Sequence, residues 1–133
     1  MIPDASVLIA GADRHHELHK GVLPSLLTVR KKGRLIAQSI DECFLALTCT
    51  GIATPQAALA YLEQFLAHPP IGIAPADHPA AIRDLASLGI SGGAVLDGLV
   101  AISAREAGEP ILTIDRRAAR TYDRCGVEYS LLA

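Results

Sequence analysis

Apolar residues recur along the chain in two rhythms. Short aliphatic runs at residues 1–4, 34–38, 71–75, 110–114 and 127–131 read as strands, while the intervals between them carry apolar positions three and four apart, as helices do. The helical intervals are a short segment after Asp4, then residues 14–32 with a bend at Pro24, 39–50, 54–68, 77–88, 92–108 and 116–125. Thr54 followed by Pro55 opens one as a cap and first-turn proline should, and Gly89 and Gly126 stand where helices close. Strands alternating with helices predict an α/β fold: a three-layer sandwich, its central, mostly parallel five-stranded sheet flanked by helices.

The most apolar interval is residues 92–108, GGAVLDGLVAISAREAG, which predicts a buried helix with Asp97 in its middle. Residues three and four positions from Asp97 are Gly93, Ala94, Val100 and Ala101, so no cation within the helix pairs with it. A lone buried carboxylate costs several kcal/mol unless it is neutralised, paired or bound to metal. Its partner must come from another part of the chain, or from a ligand.

Two further acids share a location. Asp4 ends the first strand and Asp115 ends the strand PILTI, so both fall at the carboxyl edge of a parallel sheet, where open α/β folds place their ligands. Glu42 follows the strand RLIAQ into the first turn of a helix and lies near the same edge. Each has an ordinary structural reading as well: Asp4 and Asp115 as helix N-caps, and Ser39-Ile40-Asp41-Glu42 as a capping box. Taken together, four carboxylates around one pocket repel one another unless cations hold them, and hard oxygen ligands suit Mg²⁺ or Mn²⁺.

Composition narrows the setting. The chain has 133 residues, half of them hydrophobic, enough for one domain with a real core. A mean hydropathy of +0.33 leaves apolar surface over for a partner. Cys43, Cys49 and Cys125 have no C-x-x-C spacing and read as reduced core or near-core thiols. No signal peptide or membrane-length apolar run is visible, so a cytoplasmic protein is expected.

Net charge is −2, and basic residues are grouped in residues 30–34 and again after Asp115. Arg116 and Arg117 begin a helix beside the acidic edge and are candidates for backbone-phosphate contacts, the alternative being simple surface charge. His15 and His19 stand four apart, yet the H-E-x-x-H order is not met and they read as surface histidines.

These motifs resemble a family. IPDASVLIAG is similar to the opening of PIN-domain ribonucleases, QSIDECFLAL to their second acidic helix, DGLVAISAREAG to their Ala-rich D-A-L helix and LTIDRRA to their T-x-D motif. The order and spacing agree over essentially the whole chain, and the length resembles VapC-like toxins of toxin-antitoxin pairs. The resemblance implies a single PIN-like domain over residues 1–133, with Asp4, Glu42, Asp97 and Asp115 as metal-binding catalytic acids and Ser6 and Thr113 supporting them.

It further implies one or two Mg²⁺ or Mn²⁺ ions, water as the nucleophile, and structured RNA such as tRNA or rRNA as substrate. The implied partners are a VapB-like antitoxin and a second copy in a homodimer; the helix around Tyr61, Leu62, Phe65 and Leu66 is a candidate surface for one of them, with ordinary core packing the favoured reading of those residues. Many members carry another acid where this chain has Arg117, and Gly98 and Ile102 also depart from the usual helix. The competing reading is a catalytically degenerate PIN-like module that binds metal or RNA. A haloacid-dehalogenase-like phosphatase would need D-x-D after the first strand, and a receiver domain paired acids there; Asp4-Ala5-Ser6 supplies neither.

Overall fold

In the strand Ile111–Thr113, neighbouring residues face opposite ways: Ile111 belongs to one buried apolar cluster and Leu112 to the other. That alternation fixes the layers. The computed structural model describes all 133 residues, as β1 (Ile2–Pro3), α1 (Ala5–Ala12), α2 (His19–Lys32), α3 (Ala37–Cys49), α4 (Pro55–Glu63), α5 (His78–Ser87), α6 (Ala94–Ala107), β2 (Ile111–Thr113), α7 (Arg116–Arg124) and β3 (Tyr129–Leu131). Val7, Leu8, Val22, Leu26, Leu47 and Leu62 of α1 to α4 pack with Leu112 on one side. Leu85, Leu99, Val100 and Tyr122 of α5 to α7 pack with Ile2 and Ile111 on the other.

The sheet is wholly parallel in the order β1-β2-β3, with Ile2 beside Ile111 and Ile111 beside Tyr129. Three strands form where five were expected. Residues 34–38 and 71–75 shrink to one parallel bridge, Ile36 with Ile71, closed by Ala37 N–H to the Ile71 carbonyl at 2.8 Å and Ile71 N–H to the Leu35 carbonyl at 2.9 Å. The reason is local on both sides. Helix α3 begins immediately after the bridge, and Pro75, which has no N–H to donate, opens a 3₁₀ turn over Pro75–Asp77.

Several boundaries also move. Asp13 to Leu18 form a turn, in which Asp13 Oδ1 accepts from His15 N–H and His16 Nδ1 from Leu18 N–H, so α2 starts five residues later than the pattern suggests. His19 Nδ1 lies 2.8 Å from the Ala10 carbonyl, which ties that ring to the backbone. Helix α4 stops at Glu63 instead of residue 68, while Thr54 caps it from Ala57 N–H at 3.2 Å as expected. Cys43 and Cys125 are buried, but Cys49, at the end of α3, is exposed; all three are free thiols. No helix is long and apolar enough to cross a membrane.

Candidate active site

Asp4 leaves β1 with its N–H bonded to the Leu112 carbonyl of β2 at 2.9 Å, so the sheet itself sets where its side chain starts. It then caps α1, Oδ1 accepting from Val7 N–H at 3.3 Å. Asp115 repeats the arrangement one strand over: it follows β2 and caps α7, accepting from Arg117 N–H at 2.8 Å. The capping reading of these two residues holds, and capping leaves both carboxylates at the carboxyl edge of the sheet.

Asp97 is not in the middle of its helix. Gly92, at φ 61°, and the cap residue Gly93 start α6 at Ala94, so Asp97 lies in the first turn and is half-buried, with the buried run beginning at Gly98. That places a carboxylate near the positive end of a helix dipole. Glu42 lies in the interior of α3, because Ile36 has the extended backbone of a cap and the helix begins at Ala37. Ser39 is thus a helical residue, and the expected capping box does not form. Its Oγ and Oε1 of Glu42, one turn apart on the same face, are the buried side-chain polar atoms without a partner.

All four acids line one cleft of about 250 Å³, together with Ser6, Ile9, Ala46, Val100 and Tyr122. No Lys, Arg or His lines it. Ser6 and Thr113 join the two capped turns beneath it. Ser6 Oγ donates to Asp4 Oδ1 at 2.5 Å, accepts from Ile114 N–H at 3.1 Å and lies 3.3 Å from Thr113 Oγ1, which accepts from Asp115 N–H at 3.1 Å.

Tyr122 was not singled out by motif. Its buried hydroxyl donates to Asp4 Oδ2 at 2.8 Å. The available signal was spacing: Tyr122 follows Asp115 by seven residues and so shares the inner face of α7 with Ala118.

Burial and like charge act together on these groups. Glu42 is pushed up to about 7, first by burial and then by the charges of Asp97, Asp4 and Asp41. Asp97 is raised to about 6 by burial and by Asp115 and Asp4, with Arg117 opposing the rise. Asp4 is raised by burial, against the hydrogen bonds of Ser6, Thr113, Tyr122 and Val7.

The donor set fits a hard divalent cation: all oxygen, mutually repelling, with an orphaned buried Glu42 oxygen. It is not a closed cage, since no three acidic, His or Cys side chains are gathered tightly enough to enclose an ion.

A groove of about 610 Å³ adjoins the cleft and shares Asp97 and Asp115 with it; Arg117, Arg120 and Arg124 of α7 line its far part, while Arg116 is exposed outside it. Another cavity, about 650 Å³, lies elsewhere, between α2 and α4, and is mostly apolar with no acidic residue in its lining.

No protein-family model matches the chain. Ribonuclease VapC40 of Mycobacterium tuberculosis is 33% identical over 133 residues, covering 98% of this chain and 97% of the relative. The chain belongs to the VapC family of PIN-domain ribonucleases. Ribonuclease VapC27 of the same organism is 31% identical over 134 residues, covering 98% and 95%. The crystal structure of PAE2754 from Pyrobaculum aerophilum, 20% identical, superposes with a TM-score of 0.63 over 96% of this chain and 88% of that one, which shows the fold alone. The segments around Asp4, Glu42, Asp97 and Asp115 are the ones that carry the four acids into the cleft.

Proposed function

We propose that this chain is an Mg²⁺- or Mn²⁺-dependent endoribonuclease, the toxin of a VapBC-type pair, hydrolysing structured RNA such as tRNA or rRNA in the cytoplasm. The observation that supports this most is the convergence of four carboxylates from four separate elements on one cleft free of basic side chains. Carboxylates so arranged are electrostatically unfavourable without a cation, and the VapC relatives are ribonucleases by name.

Asp4, Asp97, Asp115 and Glu42 are the residues that would hold the ion. Bound there, it would neutralise phosphodiester charge and make water acidic enough to serve as the nucleophile. The chain's own groups supply position. Asp4 is held by three donors, and Asp97 and Asp115 are held in the first turn and at the cap of adjacent helices. Ser6 is a brace between Asp4 and the Ile114 N–H, with its hydroxyl committed, and no side-chain nucleophile is needed.

A VapB-like antitoxin and a homodimer complete the reading. Of Tyr61, Leu62, Phe65 and Leu66, the first three follow the core-packing reading, since Leu62 and Phe65 are buried and the Tyr61 hydroxyl donates to the Leu8 carbonyl at 2.7 Å, while Leu66 is exposed. Leu66 joins Leu45, Leu59 and Phe44 in an exposed apolar α3–α4 face.

The test is cleavage of total cellular RNA by partner-free chain, with new ends mapped by sequencing, in Mg²⁺ or Mn²⁺ against EDTA. Discrete cuts that disappear both in EDTA and in a folded Asp97→Asn variant are expected. Full activity of Asp97→Asn would sink the reading, and a folded wild-type chain that cuts nothing would leave a binding module.

A further inference from the structure

Three of the basic residues grouped after Asp115 form one face of a helix. Helix α7 carries Arg116, Arg117, Arg120 and Arg124 within nine residues. Arg117, Arg120 and Arg124 are spaced three and four residues apart, which puts them on one stripe of the helix. That stripe lines the groove that opens from the carboxylate cleft.

Two of these arginines have no partner within the chain. Its ion pairs are Arg34 with Glu109 and Arg105 with Asp84, and neither Arg117 nor Arg120 takes part in one. Arg124 is committed, since its Nη2 donates to the Leu88 carbonyl at the end of α5. The opposite wall is Gly93 and Ala94, where α6 starts without a side-chain cap. Its first-turn N–H groups and dipole add positive character to the same groove.

Unpaired guanidinium groups in a groove that continues from clustered carboxylates have a definite use. Where an anion must approach acids, fixed cations alongside offset the repulsion and hold the flanking charges.

We propose that Arg117 and Arg120 form a phosphate track along α7 for the strand whose scissile bond lies at the acids. The backbone of a single RNA strand leaves the cleft past Asp97 and Asp115 and runs toward the Arg124 end of α7. Arg124 braces the groove from Leu88, and Arg116 lies off the track. This rests on the ribonuclease reading and extends it by assigning the flanking contacts and the side on which the strand leaves.

The test is fluorescence anisotropy of a labelled, mixed-sequence single-stranded RNA, titrated with protein in EDTA across a series of KCl concentrations. Each phosphate contact removed from a single strand lowers the slope of log K against log[KCl] by about 0.7. Arg117→Ala and Arg120→Ala should each lose about that much, and the double variant about twice as much. Arg83→Ala should keep the wild-type slope, with circular dichroism showing each variant folded.

Unchanged slopes for both track variants would overturn the track; if wild type still cuts RNA, the ribonuclease reading survives. Wild type that neither binds nor cuts RNA would overturn both. A poly-glutamate peptide that binds as tightly, with the same dependence on Arg117 and Arg120, would reassign the groove to an acidic protein segment and overturn the proposal.

Discussion

The Tyr122 hydroxyl donates to Oδ2 of Asp4 at 2.8 Å, joining α7 to the end of β1 across 118 positions of sequence. With Ser6 and Val7 on Oδ1, it leaves Asp4 no freedom to rotate. Tyr122→Phe keeps the ring in its buried place and removes only this donor. Hydrogen bonds to charged groups contribute about 1.5–3 kcal/mol, so urea unfolding should report a loss in that range with an unchanged m-value. The variant should also bind Mn²⁺ more weakly by calorimetry. Wild-type stability and affinity together would show that Asp4 is positioned without it.

Proton uptake gives a second prediction. Glu42 at about 7 and Asp97 at about 6 in the folded chain compare with ordinary values of 4.5 and 3.8, so the folded state holds these protons more tightly than the unfolded state. Stability from these groups is therefore greatest below the unfolded values and falls as pH rises through the folded ones. In EDTA, the melting temperature should decline between about pH 5 and 7.5, and Mg²⁺ should reduce the decline by favouring the charged carboxylates. A melting temperature that rises over that range in EDTA would contradict the assignment.

The same comparison shows what was legible in the sequence. Asp4 and Asp115 were readable because each ends an apolar run and begins a helix, a relation contained within a few residues. Of the boundaries that failed, the start of α3 was decided by a distant part of the chain. Ile36 is held extended by its bridge to Ile71, so α3 starts two residues before Ser39 and Glu42 becomes an interior helical residue. For Tyr122, spacing from Asp115 gave only the inner face of α7, and nothing near it in sequence indicates that its hydroxyl meets Asp4. Asp97 was placed too deep because Gly92 and Gly93 were counted as helix, whereas Gly92 adopts the left-handed conformation that begins the turn before it.

Gly98 follows from helix packing. A Cβ on it would lie 2.6 Å from Leu85 Cδ2 and 3.1 Å from Cδ1, and Leu85 is 2% exposed, so it cannot swing into solvent. Ala gains about 1 kcal/mol of helix propensity over Gly, but overpacking a core costs about 1–3 kcal/mol. Gly98→Ala should therefore destabilise the chain modestly in urea unfolding. Combined with Leu85→Val, it should cost less than the sum of the two single changes. Additive effects would mean that α5 shifts to accept the methyl group.

The exposed α3–α4 face makes the oligomer testable. Leu45 is 67% exposed and Leu59 53%, and they line one shallow apolar groove with Phe44 and Leu66. If a second copy covers this face, Leu45→Glu places a charge where water is excluded and should shift the mass by light scattering from dimer to monomer. Because Leu45 is largely solvent-exposed in the single chain, the substitution should leave monomer stability within about 0.5 kcal/mol. A dimer that survives Leu45→Glu and Leu59→Glu together would place the contact on another face.

The brace beneath the acids gives the last prediction. Ser6 Oγ serves Asp4, Ile114 N–H and Thr113 at once, so Ser6→Ala leaves a partly buried backbone donor unsatisfied and removes one of the donors to Asp4 Oδ1. Losing the partner of a buried polar group costs about 1–3 kcal/mol. Thr113→Val preserves shape, but takes the acceptor from Asp115 N–H and should cost a similar amount. Since both hydroxyls belong to one network between the Asp4 and Asp115 turns, the double variant should lose less than the sum. Strict additivity in urea unfolding would mean that the two turns are held independently, and that the spacing of Asp4 and Asp115 is set by the β1–β2 pairing alone.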